Sequence, residues 1–358
     1  VDALVEHLNG AFLLGGGPVE ARGVLARGRV VPADQRGGVG VDPTTRARVE
    51  AAARELRYRP SGVARSLKLR ATQTLGLIVT DIENPFFPHL VRAVEDAARM
   101  QGYSVILADG LHDSDREIQS LEVLARRQVD GLLVASSAIT ERHRDWIAHR
   151  PCPLVVLNSA SPGTGVPTAV SDNTDGGRQV AEHLLALGHR RLTYIGAPSS
   201  MNPAVEERLA GVRQAMAPSV GTAEVIEGDG RAEAAERATR EAISRWPGTT
   251  ALVCYNDVTA VGALRGLRAL GLRVPADVSV VGFDDIELAL FVDPPLTTVR
   301  QPVDEMSRWA VTTLIKAIER DSPPGAVTRD EEAGGGETVR MPVKLVVRES
   351  SGTAEGRL

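Results

Sequence analysis

The chain has 358 residues, more than one compact core usually holds, and its 43% hydrophobic and 24% charged content is ordinary for a globular protein of two or three lobes. Aromatic residues make up only 3%, so the core must be built from Ala, Val and Leu. No apolar run of about 18 residues is present to span a membrane. The Gly-broken opening VDALVEHLNGAFLLGGG lacks the basic region of a secretory signal, so a cytoplasmic location is expected.

The net charge of −5 conceals an asymmetry: residues 41–70 carry eight basic side chains against three acids, residues 1–40 are balanced, and the remaining 288 residues carry −10. A basic head on an acidic body suits a protein that touches nucleic acid at one end, although a solvated helix face has the same charge.

Residues 1–40 are rich in Gly, Arg, Pro and Val, and breakers at Gly15–Gly17, Pro18, Pro32 and Gly37–Gly38 forbid two packed helices there. PTTRARVEAAARELRY (43–58) carries Val49, Ala52, Ala53 and Leu56 at helical spacing, and Pro60 stops it. SGVARSLKLR (61–70), with Ser61 as cap, predicts a second helix too short to be stable alone.

From residue 74 apolar runs alternate with amphipathic segments. Strands are expected at 74–79, 103–108, 131–135, 154–158, 169–173, 191–196, 224–228, 250–257 and 278–285. Helices are expected between them, including 87–102, 115–128, 175–188 and 257–271, with Gly102, Gly188 and Gly271 placed as C-terminal stops. This alternation predicts an α/β fold of two doubly wound parallel-sheet lobes. Polar residues collect at the carboxyl ends of the strands, where such sheets bind ligands: Asp81, Asn84, Asn158, Asn256–Asp257 and Asp284–Asp285. Amides and carboxylates suit the vicinal hydroxyls of a sugar. Asp and Asn also cap helices; capping is expected of Asp257 and Asp285, ligand contact of Asn256 and Asp284.

Enzyme chemistry is not legible. The seven His show no metal-ligand spacing, and no P-loop, no GxGxxG after a strand and no GxSxG elbow is present. His112, Asp113 and Asp115 read as a helix-capping loop. Cys152 and Cys254 lack a partner motif and read as reduced core thiols. No cofactor and no metal is expected.

The segments TTRARVEAAARELRYRPSGVARSLK, TLGLIVTDIENPFFPHLVRAVEDAA, VDGLLV, SDNTDGGRQVAEHLLALGHRRLTYIG, ERLAGVRQAM, CYNDVTAVGALRGLRALGLRVPADVSVVGFDD, PPLTTVRQP and MPVKLVVRES, in that order, resemble the lac/gal repressor (LacI/GalR) family of bacterial transcription regulators over residues 41–350. The resemblance implies a homodimer that binds operator DNA and a sugar-like effector, with a periplasmic-binding-protein-like core behind a partial α-helical DNA-binding region. It implies a hinge helix made of Ala64, Arg65, Ser66, Leu67 and Lys68, with Leu67 wedged into the minor groove, and phosphate contacts from Arg46 and Arg59. It implies an effector cleft made of Asp81, Asn84, Phe86, Phe87, Asn158, Arg208, Asn256 and Asp284. Phe86 and Phe87 have a core or dimer role as their alternative, and Arg208 a structural salt bridge.

The division expected is an irregular 1–40 where a helix-turn-helix belongs, a remaining helix at 41–60 and a hinge with linker at 61–73. The core follows at 74–350, with lobe one at about 74–165 and 301–325, lobe two at about 166–296 and 337–350, and a tail at 351–358. Crossings between lobes are expected near 159–170, 296–301 and 322–337, the last at the solvent loop DEEAGGGE (330–337). The recognition helix of the family is not recognisable in residues 1–40. Two origins stay open, a loss of the DNA-reading element or a frame slip or misassigned start, and the abrupt onset of family character near Val41 and the opening Val fit the second. The function expected is effector-responsive regulation, with repression the expected sense. The alternative is a sugar-sensing or sugar-binding protein of the same core that no longer binds DNA specifically. Effector in the cleft is expected to shift the populations of two lobe arrangements and so pair or melt the hinge helices.

Overall fold

The chain divides into Val1–Arg70 and a compact unit, Ala71–Leu358. The computed structural model describes residues 71–136, 138–198, 202–218, 221–320 and 336–354, together with Ala52. The expected hinge residues Ala64, Arg65, Ser66, Leu67 and Lys68, the phosphate candidates Arg46 and Arg59, and all but the end of the DEEAGGGE loop lie outside the described residues.

The compact unit is two α/β lobes. In the first, β1 (Thr74–Val79), β2 (Ser104–Asp109), β3 (Gly131–Ala135), β4 (Leu154–Leu157), β5 (Thr168–Ser171) and β11 (Thr338–Met341) form one sheet in the order β11-β5-β4-β3-β1-β2. Every pair in it is parallel. The central strands GLLVA and LVVL are buried throughout, as a parallel sheet covered on both faces requires. The covering helices are α1 (Phe86–Met100), α2 (Ser114–Arg126), α3 (Glu141–Ala148) and α8 (Val303–Arg320). On α1 the buried positions Phe86, Phe87, Leu90, Val94, Ala97 and Ala98 make a single stripe at helical spacing.

The second lobe holds β6 (Arg191–Gly196), β7 (Thr222–Glu227), β8 (Ala251–Cys254) and β9 (Ser279–Val281) in a parallel sheet of order β7-β6-β8-β9. Two bridges, Val281 to Thr297 and Asp284 to Arg300, continue it into the antiparallel pair β10 (Thr298–Arg300) and β12 (Lys344–Val346). The helices here are α4 (Asn173–Ala186), α5 (Ala204–Met216), α6 (Ala232–Arg245) and α7 (Asp257–Ala269), with a single 3-10 turn at Glu287–Leu290.

Three helices stop as the sequence predicts. Gly102, Gly188 and Gly271 adopt φ of +80°, +89° and +75°, and the following N–H of Tyr103, His189 and Leu272 returns to the carbonyls of Ala98, Leu184 and Leu267. These are left-handed C-terminal caps, and they turn each helix into the strand that follows.

The lobe boundaries differ from expectation. β5 and β11 pair with each other at Thr168–Ser171 and Thr338–Met341, inside the first-lobe sheet. The first lobe therefore runs past residue 165 and takes back a strand at 338–341. The crossings fall at Asp172, between β5 and α4; at Gln301–Pro302, between β10 and α8; and at Pro342, between β11 and β12. Hydrogen-bond partners decide this, and hydrophobic pattern does not carry that information for short strands.

Candidate functional site

The carboxyl ends of both sheets face a cavity of about 260 Å³ between the lobes. All eight expected effector residues line it: Asp81, Asn84, Phe86, Phe87 and Asn158 from the first lobe, and Arg208, Asn256 and Asp284 from the second. Glu83, His112, Asn202, Asp229, Arg231, Glu233, Tyr255 and Gln301 complete the polar lining. The sequence reading missed these because each is a lone residue on a loop or helix start. Position at a strand end was the available signal for His112 after β2 and Tyr255 after β8.

Local backbone aims several of these side chains. Asn158 sits just past β4 at φ +60°, and Asp284 and Asp285 sit past β9 at φ +127° and +57°. Non-glycine residues in that region are strained, and such strain concentrates at ligand sites. The turn is pinned from beneath by Asp257. Its carboxylate accepts from the Thr298 hydroxyl at 2.5 Å and from the Ile286 N–H at 2.9 Å, while its own N–H donates to the Phe283 carbonyl at 2.7 Å. Asp285 accepts from Arg300 Nε and Arg348 Nη2, both at 2.5 Å. Capping, expected for Asp257 and Asp285, is therefore not their role. Asn256 does cap: its Oδ1 accepts from the Thr259 N–H at 2.7 Å, and its amide nitrogen is left 3.4 Å from the Gly230 carbonyl at the cavity wall.

Arg208 is the buried cation of the site. Its Nε donates to Asn173 Oδ1 at 2.9 Å, Nη1 donates to the Tyr255 carbonyl at 2.6 Å, and its plane lies 3.6 Å from the Phe283 ring centroid. Asp284 stands 3.8 Å away and also accepts from Gln301 Nε2 at 2.6 Å. The expected alternative of a structural ion pair is thus present together with exposure to the cavity. Burial pushes the Asp284 carboxyl up to about 6, with Arg208 and Gln301 pulling against it. Burial, and the charge of Asp284, push Asp257 up to about 7.

The first lobe contributes two aromatic rings to the lining. Phe86 and Phe87 open α1 and meet edge to face, with centroids 5.3 Å apart. Both belong to the core, one of the roles expected of them, and both also reach the cavity wall. The lining thus combines aromatic surface with amide and carboxylate groups, the mixture of apolar and oriented polar groups found in small-molecule sites. His112 Nε2 lies 3.2 Å from Asp81 Oδ2, and Asp81 Oδ1 accepts from the Glu83 N–H at 2.9 Å. Asp113, its neighbour, caps α2 as expected. Among the described residues no group of three or more His, Cys, Asp or Glu could hold a metal ion, and no helix is long and apolar enough to cross a membrane.

Residues 181–351 match the periplasmic binding protein-like domain family. The ribose operon repressor of Escherichia coli (strain K12) is 37% identical over 276 residues, which is 76% of this chain and 83% of that protein. A LacI family transcriptional regulator from Enterococcus faecium, solved with bound ribose, is 28% identical and superposes with a TM-score of 0.68 over 79% of this chain and 100% of that one. The lac repressor dimer, solved with operator and the anti-inducer ONPF, is 26% identical and superposes with a TM-score of 0.70 over 82% and 99%.

Proposed function

Because the chain belongs to the LacI/GalR family of effector-responsive transcription regulators, we propose that it acts as a dimeric repressor whose effector is a single sugar ring held in the interlobe cavity. The carrying observation is that Arg208, Asp284 and Gln301 line one cavity of about 260 Å³ together with Phe86 and Phe87. That volume lies below the roughly 300–1,000 Å³ of sites for drug-sized ligands, which favours one ring over a disaccharide. A relative named for the ribose operon and a neighbour solved with ribose support a pentose.

The second copy is read onto two exposed apolar strips. In the first lobe the edge strand β2 exposes Ile106 and Leu107, with Leu111 beyond it; in the second the 3-10 turn exposes Leu288, Leu290 and Phe291. A groove lined by Pro85, Pro88, Ile286 and these last three joins the lobes on one side. Apolar surface of this extent marks an interface, and an edge strand needs a cover. The solved lac repressor neighbour is a dimer.

The test is calorimetric titration of the full chain with D-ribose and other free pentoses and hexoses, followed by a gel shift with operator DNA in the presence and absence of the sugar that binds. Binding weakened about tenfold or more in Asp284→Asn, with operator release on adding sugar, is the expected result. Hinge residues 61–68 should change amide exchange between the DNA-bound and effector-bound states; identical exchange sinks the population-shift reading. One sequence observation favours a second reading: residues 1–40 lack a recognisable recognition helix. In that case sugar binds and the gel shift stays empty until a helix-turn-helix is restored.

A further inference from the structure

Four helices begin at the cavity, and helix N-termini are the usual places for proteins to hold phosphates. Here an Asn or Asp side chain already takes one N–H at or just before each start. Asn84 Oδ1 accepts from Phe86 N at 3.1 Å at the start of α1, and Asn202 Oδ1 from Ala204 N at 2.9 Å at α5. Asn256 Oδ1 accepts from Thr259 N at 2.7 Å at α7, and Asp229 Oδ1 from Arg231 N at 2.8 Å just before α6. On α1 the Phe87 N–H also goes to the Asn84 carbonyl at 3.0 Å, and the third residue, Pro88, has no N–H at all.

An asparagine in this place does two things at once. Its oxygen accepts from the helix, and its NH₂ is a neutral donor of two N–H groups; Asn202 gives one of them to the Tyr255 hydroxyl at 2.6 Å and Asn256 one to the Gly230 carbonyl at 3.4 Å, which leaves each a second. A helix end that would have attracted an anion becomes a donor suited to a hydroxyl oxygen. The charges agree with this. Among the described residues the cavity lining holds five carboxylates and two guanidinium groups, those of Arg208 and Arg231. Arg208 already serves Asn173, the Tyr255 carbonyl and Asp284. His112 stands against the Asp81 carboxylate.

Building on the sugar reading above, we infer that the effector is an uncharged, unphosphorylated sugar, and that the asparagine caps Asn84, Asn202 and Asn256, with the acidic lining, reject its phosphate esters. The regulator then reads the pool upstream of the sugar's phosphorylation, and the reaction that phosphorylates the sugar ends the signal.

The experiment is calorimetry on the full chain with matched probes: D-ribose and D-ribose 5-phosphate, D-glucose and D-glucose 6-phosphate, D-fructose and D-fructose 1-phosphate. One free sugar should bind, with its ester weaker by about tenfold or more at low salt, since a dianion meets a net-negative lining. Raising the salt should strengthen the ester and leave the free sugar nearly unchanged, because screening relieves repulsion. Asn84→Gly keeps a backbone suited to a helix start and uncovers the Phe86 N–H, so it should narrow the ratio of the two affinities. An ester that binds as tightly as its free sugar, or tighter, overturns the inference and leaves the sugar reading standing. If no probe of either kind binds, the sugar reading falls and this inference with it. Should Asn84→Gly fail to fold, the wild-type ratio and its salt dependence decide.

Discussion

Gly177 sets the position of Arg208. It lies on α4 where α5 crosses, and a Cβ placed there would stand 2.9 Å from the Arg208 carbonyl carbon and 3.1 Å from its Cα, closer still to its oxygen. Carbon contacts settle at about 3.5–4.0 Å and carbon–oxygen contacts only a little closer, so the Arg208 oxygen sets the displacement and Gly177→Ala must move the α5 backbone by roughly 1 Å or more. The obstacle is backbone, which cannot rotate aside. Overpacking of this kind costs roughly 2–3 kcal/mol. Removing a helical glycine returns about 1 kcal/mol. The net loss of roughly 1–2 kcal/mol should lower Tm by about 2–3 °C for a unit of this size. The same shift stretches the Arg208 bonds to Asn173 and Tyr255, now 2.9 and 2.6 Å. A weakened hold on a charged group, worth roughly 1.5 kcal/mol or more, should weaken effector binding by about tenfold. Differential scanning calorimetry and titration of the same preparation check both numbers. A variant with wild-type Tm and wild-type affinity would refute the close-approach argument; one with lowered Tm and unchanged affinity would separate Arg208 from the ligand.

Asp284→Asn should lower effector affinity by about tenfold or more while leaving Tm unchanged or raised, because it removes a buried charge that binding uses and folding does not need. Effector affinity in the wild type should hold above about pH 6, where burial has moved the Asp284 carboxyl, and decline as pH falls through that value; a flat profile from pH 8 to 5 argues against ionised Asp284 as a ligand group. Asp257, raised by burial to about 7 from the usual 3.8, is costly as an ion in the fold, so its cost is full above pH 7 and fades as pH falls toward 4; the corresponding stretch of the Tm–pH curve should flatten in Asp257→Asn. Phe291→Asp, on the exposed strip of the second lobe, should convert dimer to monomer in sedimentation velocity with the circular dichroism spectrum unchanged.

Pattern carried the sequence reading wherever burial is two-sided. β1, β3 and β6 have the expected bounds, because a parallel strand covered on both faces writes itself as a largely apolar run, broken in β6 only by Thr193 after the exposed Arg191. β10 and β12 are three residues each and owe their place to bridges and a ladder with each other, which leave no periodic trace. Among site residues, those in the motif-rich strand ends were legible. Gln301 and Asn202 were not, since a single polar residue on a loop looks like solvent-facing filler until the fold closes it over a cavity. Asp257 and Asp285 were legible as important and wrong in role: adjacency to a helix start suggested capping, and only the left-handed turn at Asp284–Asp285 shows them holding the loop.

The site and the crossings are one hydrogen-bonded structure. Ser171, at the end of β5, donates to Gln301 Oε1 at 2.7 Å, and Gln301, at the second crossing, donates to Asp284. Asp284 faces Arg208, Arg208 donates to Asn173 just past the first crossing, and Asn173 donates to Glu207 Oε2 at 2.9 Å. Glu207 in turn meets Arg340, 3.5 Å away on β11 before the third crossing. Each chain segment that joins the lobes thus has a polar residue in the same chain of contacts as the two charged groups at the cavity. A ligand can shift a two-state hinge only by bonding differently to its two arrangements. A ligand bonded to Asp284 and Arg208 is placed to meet that condition, because those side chains cannot reorient without lengthening bonds to Gln301 and Asn173, the residues at two of the crossings between the lobes.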